Sequence, residues 1–168
     1  MNNKKMVILG AGGYGSVVAD VALQLGYEIV QLDDTDKDHP LDSFAEYIRE
    51  VVSFIPAFGN NAFRLEWLDK LKAAGAEIAT LIHPTAYVSP KASIAEGVVI
   101  LPHAIVNTDV TIERGCIINL GAMVDHGCVV EEGVHICLGS IVKAENRVAA
   151  LSKIDAGEVI EARIWPLK

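Results

Sequence analysis

The sequence predicts two folds in tandem: an α/β N-terminal Rossmann-like subdomain over residues 1–80 and an all-β parallel β-helix over residues 81–168. Near the start of the chain, a glycine-rich turn joins a strand pattern to a helix pattern. From Ile82 to Ile160, an isoleucine or a valine then returns at every sixth position without interruption. Because an α-helix repeats every 3.6 residues and a strand every two, this period indicates a hexapeptide-repeat solenoid.

Two further positions of the repeat agree with a narrow coil. The fourth residue after each isoleucine or valine is small in most repeats, as at Ala104, Cys116 and Ala122, which suits a second inward side chain. The third is glycine in seven repeats, and glycine adopts the left-handed conformation of a tight corner without steric cost. Three hexapeptides should therefore close one triangular coil, with residues eighteen apart stacked at about 4.8 Å.

Composition restricts the classes of partner and compartment. The chain of 168 residues is 51% hydrophobic, which is ample for a core, and its net charge of −8 includes no basic stripe. Neither nucleic acid nor an anionic membrane is therefore expected as a partner. No apolar run reaches the length of a membrane span. The three cysteines, Cys116, Cys128 and Cys137, lie inside the repeat and are predicted to be buried free thiols, as suits a cytoplasmic protein.

The N-terminal part reads as strand, glycine turn, helix and strand. Met6–Leu9 is a continuous apolar run, residues 10–15 match G-x-G-x-x-G, and a second strand over Glu28–Leu32 ends at Asp33 and Asp34. Such glycines let a ligand phosphate reach backbone N–H groups at a helix N-terminus. Asp33 or Asp34 can accept hydrogen bonds from a ribose or a base. About eighty residues suffice only for a mononucleotide-sized ligand, and a tight turn that binds nothing is the alternative.

Helices and strands alternate through the rest of the first subdomain. The predicted elements are a helix over Leu41–Val51, a strand over Val52–Phe58, a helix over Ala62–Ala74 and a short strand over Glu77–Leu81. Arg64 lies opposite the apolar face of its helix, where its side chain is either solvated or reaches the ligand cleft; we favour the solvated position.

Six stretches together resemble a known family. They are Gly-Ala-Gly-Gly-Tyr-Gly at 10–15, Leu-Asp-Asp at 32–34, Phe-Gly-Asn-Asn at 58–61, Leu-Ile-His-Pro-Thr-Ala at 81–86, Val-Asp-His-Gly-Cys at 124–128 and Val-His-Ile at 134–136. The chain up to about Ala144 is similar to the sugar O/N-acyltransferases, which include sialic acid O-acetyltransferases and bacterial N-acetyltransferases acting on UDP-4-amino-sugars. The resemblance implies a left-handed β-helix, a homotrimer, a UDP-sugar or related nucleotide-sugar as substrate, and acetyl-CoA bound between neighbouring subunits.

The resemblance also implies roles for individual residues. On the nucleotide-sugar side it implies that Gly12, Gly13 and Tyr14 line the phosphate or sugar, that Asp33 and Asp34 meet the uridine, and that Gly59 lies near the sugar. On the acyl side it implies that His126 is the catalytic base and that His135 contacts acetyl-CoA.

The position of His126 agrees with such a role. Acyl transfer to an amine or hydroxyl requires a base that titrates near neutrality, and histidine is the usual one. His126 falls at a hexapeptide turn, where a side chain can face outward. Ala144 follows it by one coil, so its stacked backbone N–H is a candidate oxyanion donor. The plainer interpretation is an exposed turn histidine, which is how we interpret His83 and His103.

Two departures from the family keep a second function open. Gly127 stands where relatives carry an acidic residue after the base, and the coils beyond Val142 are few and poor in corner glycines. The predicted function is acyl transfer from acetyl-CoA to an amino or hydroxyl group of a nucleotide-activated sugar. The alternative is a nucleotide-sugar-binding scaffold trimer without transferase activity. A metal-binding trimer is less favoured, because His103, His126 and His135 are not spaced as a ligand set.

Overall fold

In the computed structural model, the chain divides into two compact units, Met1–Ala79 and Thr80–Lys168. The structure describes residues 4–50 and 52–167. Each unit has its own hydrophobic core. The division falls one residue before the boundary expected from the sequence.

Unit 1 is a parallel sheet with connecting helices. Its described elements are β1 (Lys4–Leu9), α1 (Gly13–Gln24), β2 (Tyr27–Leu32), a 3₁₀ turn (Leu41–Ser43), α2 (Phe44–Tyr47), β3 (Val52–Pro56), α3 (Asn61–Ala73) and β4 (Glu77–Ile78). The strand order is β2-β1-β3-β4, with every pair parallel. The apolar run Met6–Leu9 is fully buried, as expected for a central parallel strand.

The helix predicted over Leu41–Val51 is wrong in length. The segment forms a 3₁₀ turn and then a single helical turn that ends at Tyr47, and Val51 lies outside the described residues. Only Leu41 and Phe44 are buried, while Arg49 and Glu50 are polar and at least partly exposed. A helix this short depends on tertiary packing, and the two residues after Ile48, Arg49 and Glu50, are exposed and supply none.

Unit 2 consists, within the described residues, of two-residue strands at six-residue intervals. In chain order they are β5 (Leu81–Ile82), β6 (Tyr87–Val88), β7 (Ser93–Ile94), β8 (Val99–Ile100), β9 (Ile105–Val106), β10 (Thr111–Ile112), β11 (Ile117–Ile118), β12 (Met123–Val124), β13 (Val129–Val130), β14 (His135–Ile136), β15 (Ile141–Val142), β16 (Arg147–Val148), β17 (Lys153–Ile154) and β18 (Val159–Ile160).

Every third strand joins the same parallel sheet, so the unit is a left-handed β-helix with three faces. Face 1 contains β5, β8, β11, β14 and β17; face 2 contains β6, β9, β12, β15 and β18; face 3 contains β7, β10, β13 and β16. Partners are eighteen residues apart, as in the pairing of Val124 with Val142. The predicted stacking is therefore confirmed.

The repeat residues fill the interior as predicted. From Ile100 to Ile160, each sixth-position isoleucine or valine is at most 3% exposed, and small residues such as Ala122 and Cys128 lie beside them. Burial of one such side chain stabilises the fold by about 1.5–3 kcal/mol. The cysteines are free and buried, as expected. No helix in residues 4–50 and 52–167 has the length and apolarity of a membrane span.

Candidate active site

The glycine turn after β1 is held tightly between the neighbouring strands. The Gly10 N–H donates to the Leu32 carbonyl at 2.7 Å, and its φ of 109° is one that side chains rarely allow. At Gly15, an added Cβ would lie 2.1 Å from the Gly10 carbonyl oxygen. Helix α1 can approach the turn this closely only because residue 15 has no side chain.

Three other glycines instead face open space. An added Cβ at Gly12, Gly13 or Gly59 would meet no atom within 4 Å. Helix α1 starts at Gly13 without a side-chain cap and without an acidic residue in its first turn. Its N-terminal N–H groups and the positive end of its dipole are therefore open to an anion. These glycines follow β1 and β3 at the carboxyl edge of the sheet, where α/β folds bind ligands.

Asp33 holds the glycine turn in place. Its Oδ2 accepts from the Ala11 N–H at 2.7 Å, and its Oδ1 accepts from the Thr35 N–H and hydroxyl at 3.0 and 2.6 Å. The bond from Ala11, followed by those from Thr35, lowers the pKa of the Asp33 carboxyl. Asp34 is more exposed, and its Oδ1 accepts from the Leu41 N–H at 3.0 Å. Asp34 is thus the acid better placed to meet a ligand.

The expectation that Arg64 is solvated is wrong, because the residue is 1% exposed. Its guanidinium donates to the Phe58 carbonyl at 2.8 Å and to Asn61 Oδ1 at 2.9 Å, and so ties the loop after β3 to α3. Tyr14 lies close by: burial raises the pKa of its hydroxyl, and the Arg64 charge opposes that rise. Helical periodicity could not reveal the Phe58 carbonyl, which comes from the loop after β3.

His126 lies exposed at the corner where β12 of face 2 leads into β13 of face 3. Its N–H donates to Asp125 Oδ1 at 2.7 Å, and the same oxygen accepts from Asn107 Nδ2 at 3.0 Å. The His126 N–H is the main reason that the pKa of the Asp125 carboxyl is lowered. The corner backbone is therefore fixed, while the imidazole faces outward.

Ala144 occupies the equivalent corner one coil further on. The pairing of β12 with β15 places it in register with His126, and the Glu145 N–H donates to the His126 carbonyl at 3.1 Å. The Ala144 N–H makes the smallest contribution to the lowered pKa of the Asp125 carboxyl. The amide proposed as an oxyanion donor therefore already lies near a carboxylate.

His135 is not brought to His126 within one chain. It lies on β14 in face 1, with its Nε2 2.9 Å from Asn119 Nδ2. Face 1 is opposite the corner between faces 2 and 3 in a three-faced coil, so the two imidazoles are on opposite sides of the unit. His83 was expected at the surface, which is wrong: it is 6% exposed, and its Nδ1 lies 2.9 Å from Thr85 Oγ1.

Two shallow grooves on the β-helix differ in chemistry. The face 2 groove, of about 230 Å³, is lined by Ile105, Asn107, Met123, Val124, Asp125, Ile141 and Lys143. The face 3 groove, of about 470 Å³, includes Glu96, Glu113 and Glu132. The face 2 groove adjoins the His126 corner and suits an apolar chain. The three glutamates of the face 3 groove would repel a ligand that carries several negative charges. In the part of the chain that the structure describes, no three His, Cys, Asp or Glu side chains are grouped to hold a metal ion.

Comparison with known proteins identifies the family to which this two-unit fold belongs. The profile of the PglD N-terminal domain family matches residues 5–71. The acetyltransferase domain of PglB from Neisseria gonorrhoeae FA1090 is 35% identical, with a TM-score of 0.86 over 94% of this chain and 82% of that one. This chain belongs to the hexapeptide-repeat sugar O/N-acyltransferase family.

A second structure of the PglB domain and one additional relative bear on the function of this chain. The same PglB domain in complex with acetyl coenzyme A is 34% identical at a TM-score of 0.86, covering 94% of this chain and 82% of that one. The UDP-N-acetylbacillosamine N-acetyltransferase of Bacillus subtilis (strain 168) is 33% identical over 111 residues. That match spans 58% of this chain but only 51%, about half, of the curated relative.

Proposed function

We propose that this protein transfers an acetyl or other acyl group from acyl-CoA to an amino or hydroxyl group of a nucleotide-activated sugar. The observation that carries the proposal is His126, an exposed imidazole on a corner that Asp125 fixes. A relative named as an N-acetyltransferase of a UDP-sugar and a solved relative in complex with acetyl coenzyme A support it. Both favour acetyl as the group, and the first also favours an amine as the acceptor.

Unit 1 would hold the nucleotide end of the sugar. The open backbone at Gly12, Gly13 and Gly59 gives phosphate and sugar oxygens access to N–H groups at the start of α1. Tyr14, the next residue of α1, would line the same turn through its backbone. Asp34 would accept hydrogen bonds from the ribose or the uracil, while Asp33 fixes the conformation of the glycine turn.

Unit 2 would carry the chemistry. Acyl-CoA, when bound, supplies an activated thioester, and His126 accepts the proton that the acceptor nitrogen or oxygen loses on acylation. The Ala144 N–H is one coil away and would stabilise negative charge on the acyl oxygen in place of its contact with Asp125. His135 would contact acyl-CoA. The face 2 groove suits an apolar arm of acyl-CoA.

We further propose a cytoplasmic homotrimer, and an apolar surface on unit 2 supports it. Outward residues of face 2 and the corner before it are exposed although apolar: Tyr87 56%, Ile105 37%, Met123 40%, Val159 45%, Leu120 38% and Leu138 51%. Exposed apolar surface of this extent is typical of an interface. His126 lies at one margin and His135 beyond the other, so a head-to-tail ring would bring the two together from neighbouring subunits. The three buried free thiols suit a reducing compartment.

The substitution His126→Asn tests the base. Thiol release from acetyl-CoA with a UDP-4-amino-sugar should fall roughly 10²–10⁴-fold, the usual contribution of a positioned base, while the oligomeric state is kept. His103→Asn is the matched control, since His103 is also an exposed turn histidine. Undiminished turnover in His126→Asn would contradict the assignment. UDP-sugar binding in calorimetry without acetyl-CoA binding at millimolar concentration would instead favour the scaffold.

A further inference from the structure

An acidic side chain from the next coil covers the corner that holds His126. Glu145 is in register with Gly127, and its N–H donates to the His126 carbonyl at 3.1 Å. A Cβ added at Gly127 would lie 3.4 Å from the Glu145 Cγ. The side chain of Glu145 therefore lies over the place where residue 127 would carry its own.

The nearer acid, Asp125, is committed to other groups. Its carboxylate accepts from the His126 N–H and from Asn107, so it fixes the backbone of the corner. A base that works in catalysis generally has a third group that orients it. Since Gly127 has no side chain, the acid that covers this corner comes from the next coil, as Glu145.

Arg163, from the coil after that, holds Glu145 from the far side. Its Nε donates to Glu145 Oε2 at 2.6 Å and its Nη2 to Oε1 at 3.1 Å. The hydrogen bond from Arg163, then the Arg163 charge and to a smaller extent the His126 charge, lower the pKa of the Glu145 carboxyl. The charged groups on the stacked turns include Asp125 on the same turn as His126 and Asp109 one coil below. Above them are Lys143 and Glu145, which pair with Glu161 and Arg163 of the coil after.

We propose that Glu145 is a positioning residue for His126, taking from the neighbouring coil the place that residue 127 leaves empty. This rests on the proposed function of His126 as the base. A carboxylate at this place favours the imidazolium that forms when His126 accepts a proton. Arg163 limits that effect by sharing the carboxylate, so the two residues act on the base in opposite directions.

Opposite shifts of the pH–rate profile test the proposal. In Glu145→Gln, the acidic limb of kcat/KM should move about 0.2–0.7 pH unit lower, as expected for one partly exposed charge. Its kcat should fall several-fold, with both KM values nearly unchanged. In Arg163→Gln, the limb should move to higher pH. Glu132→Gln breaks the similarly stacked ion pair with Arg114 at 2.7 Å. It should change neither the acidic limb nor kcat.

A readout that needs no turnover separates this proposal from the proposed function. Diethyl pyrocarbonate modifies only the unprotonated imidazole, so the pH midpoint of His126 modification, followed by mass spectrometry, should show the same opposite shifts. Shifts without any wild-type turnover would support the pairing and refute the transferase. No shift, or shifts of the same sign in both variants, would overturn the positioning role. Adding Gly127→Asp to Glu145→Gln should restore the midpoint, since Asp109 shows that aspartate tolerates this corner at a φ of 58°.

Discussion

Gly15 and Gly12 lie in the same turn, yet they are glycine for different reasons. Gly15 faces the Gly10 carbonyl, which an added Cβ would approach to 2.1 Å, whereas an added Cβ at Gly12 would face open space. The motif G-x-G-x-x-G marks both positions equally. Only the structure shows that one serves packing of α1 and the other leaves room for a ligand.

Matched alanine substitutions should separate these two roles. Gly15→Ala should destabilise the protein by about 1–3 kcal/mol or more, because backbone must move to admit the methyl group. Gly12→Ala should cost about 1 kcal/mol or less but should weaken UDP-sugar binding. Urea unfolding followed at 222 nm, which reports the helices of unit 1, and calorimetric titration measure the two effects. Equal stability losses would contradict the distinction.

At the scale of single elements, the loop after β2 stabilises the turn after β1. The Asp33 carboxylate accepts from the Ala11 N–H, and this bond is the main reason that its pKa is lowered. A carboxyl whose pKa is lower in the folded state contributes stability at pH above its unfolded pKa of about 3.9. That contribution is lost as the pH falls through the folded pKa.

The substitution Asp33→Asn should therefore destabilise unit 1 in a pH-dependent way. Wild type should be more stable than the variant at pH 7, and the difference should shrink as the pH falls below about 4, since the wild-type carboxyl then becomes protonated. Urea midpoints at 222 nm, compared at pH 7 and in acid, check this. Asp20→Asn, at an exposed site on α1, should show little difference at either pH. A difference that is constant with pH for Asp33→Asn would refute the explanation.

At the scale of the whole molecule, the exposed apolar surface of face 2 predicts the oligomeric state. Met123 lies near the centre of face 2 and is 40% exposed, so Met123→Asp should leave the coil folded but place a charge in each contact of the proposed trimer. We expect monomers in light scattering and a loss of turnover. Thr111→Asp, at an outward position of face 3, should remain trimeric. A trimeric Met123→Asp variant would remove face 2 from the interface.

The sequence by itself determined the solenoid, its eighteen-residue stacking and the strand–turn–helix of the first unit. These features depend on local spacing: a six-residue period places one side chain inward, and glycine marks each corner. The same spacing predicted that Ala144 stacks on His126. It also predicts that Glu145 stacks on Gly127.

Only the tertiary structure decided which groups these positions face. The burial of Arg64 depends on a carbonyl from the loop after β3, and the role of Asp33 depends on an amide of the turn after β1. The separation of His126 from His135 depends on how three faces close into one coil. Such contacts join segments that are distant along the chain, and no local pattern records them. The physical reason is that periodicity specifies the direction of a side chain, whereas its partners depend on which loops meet it.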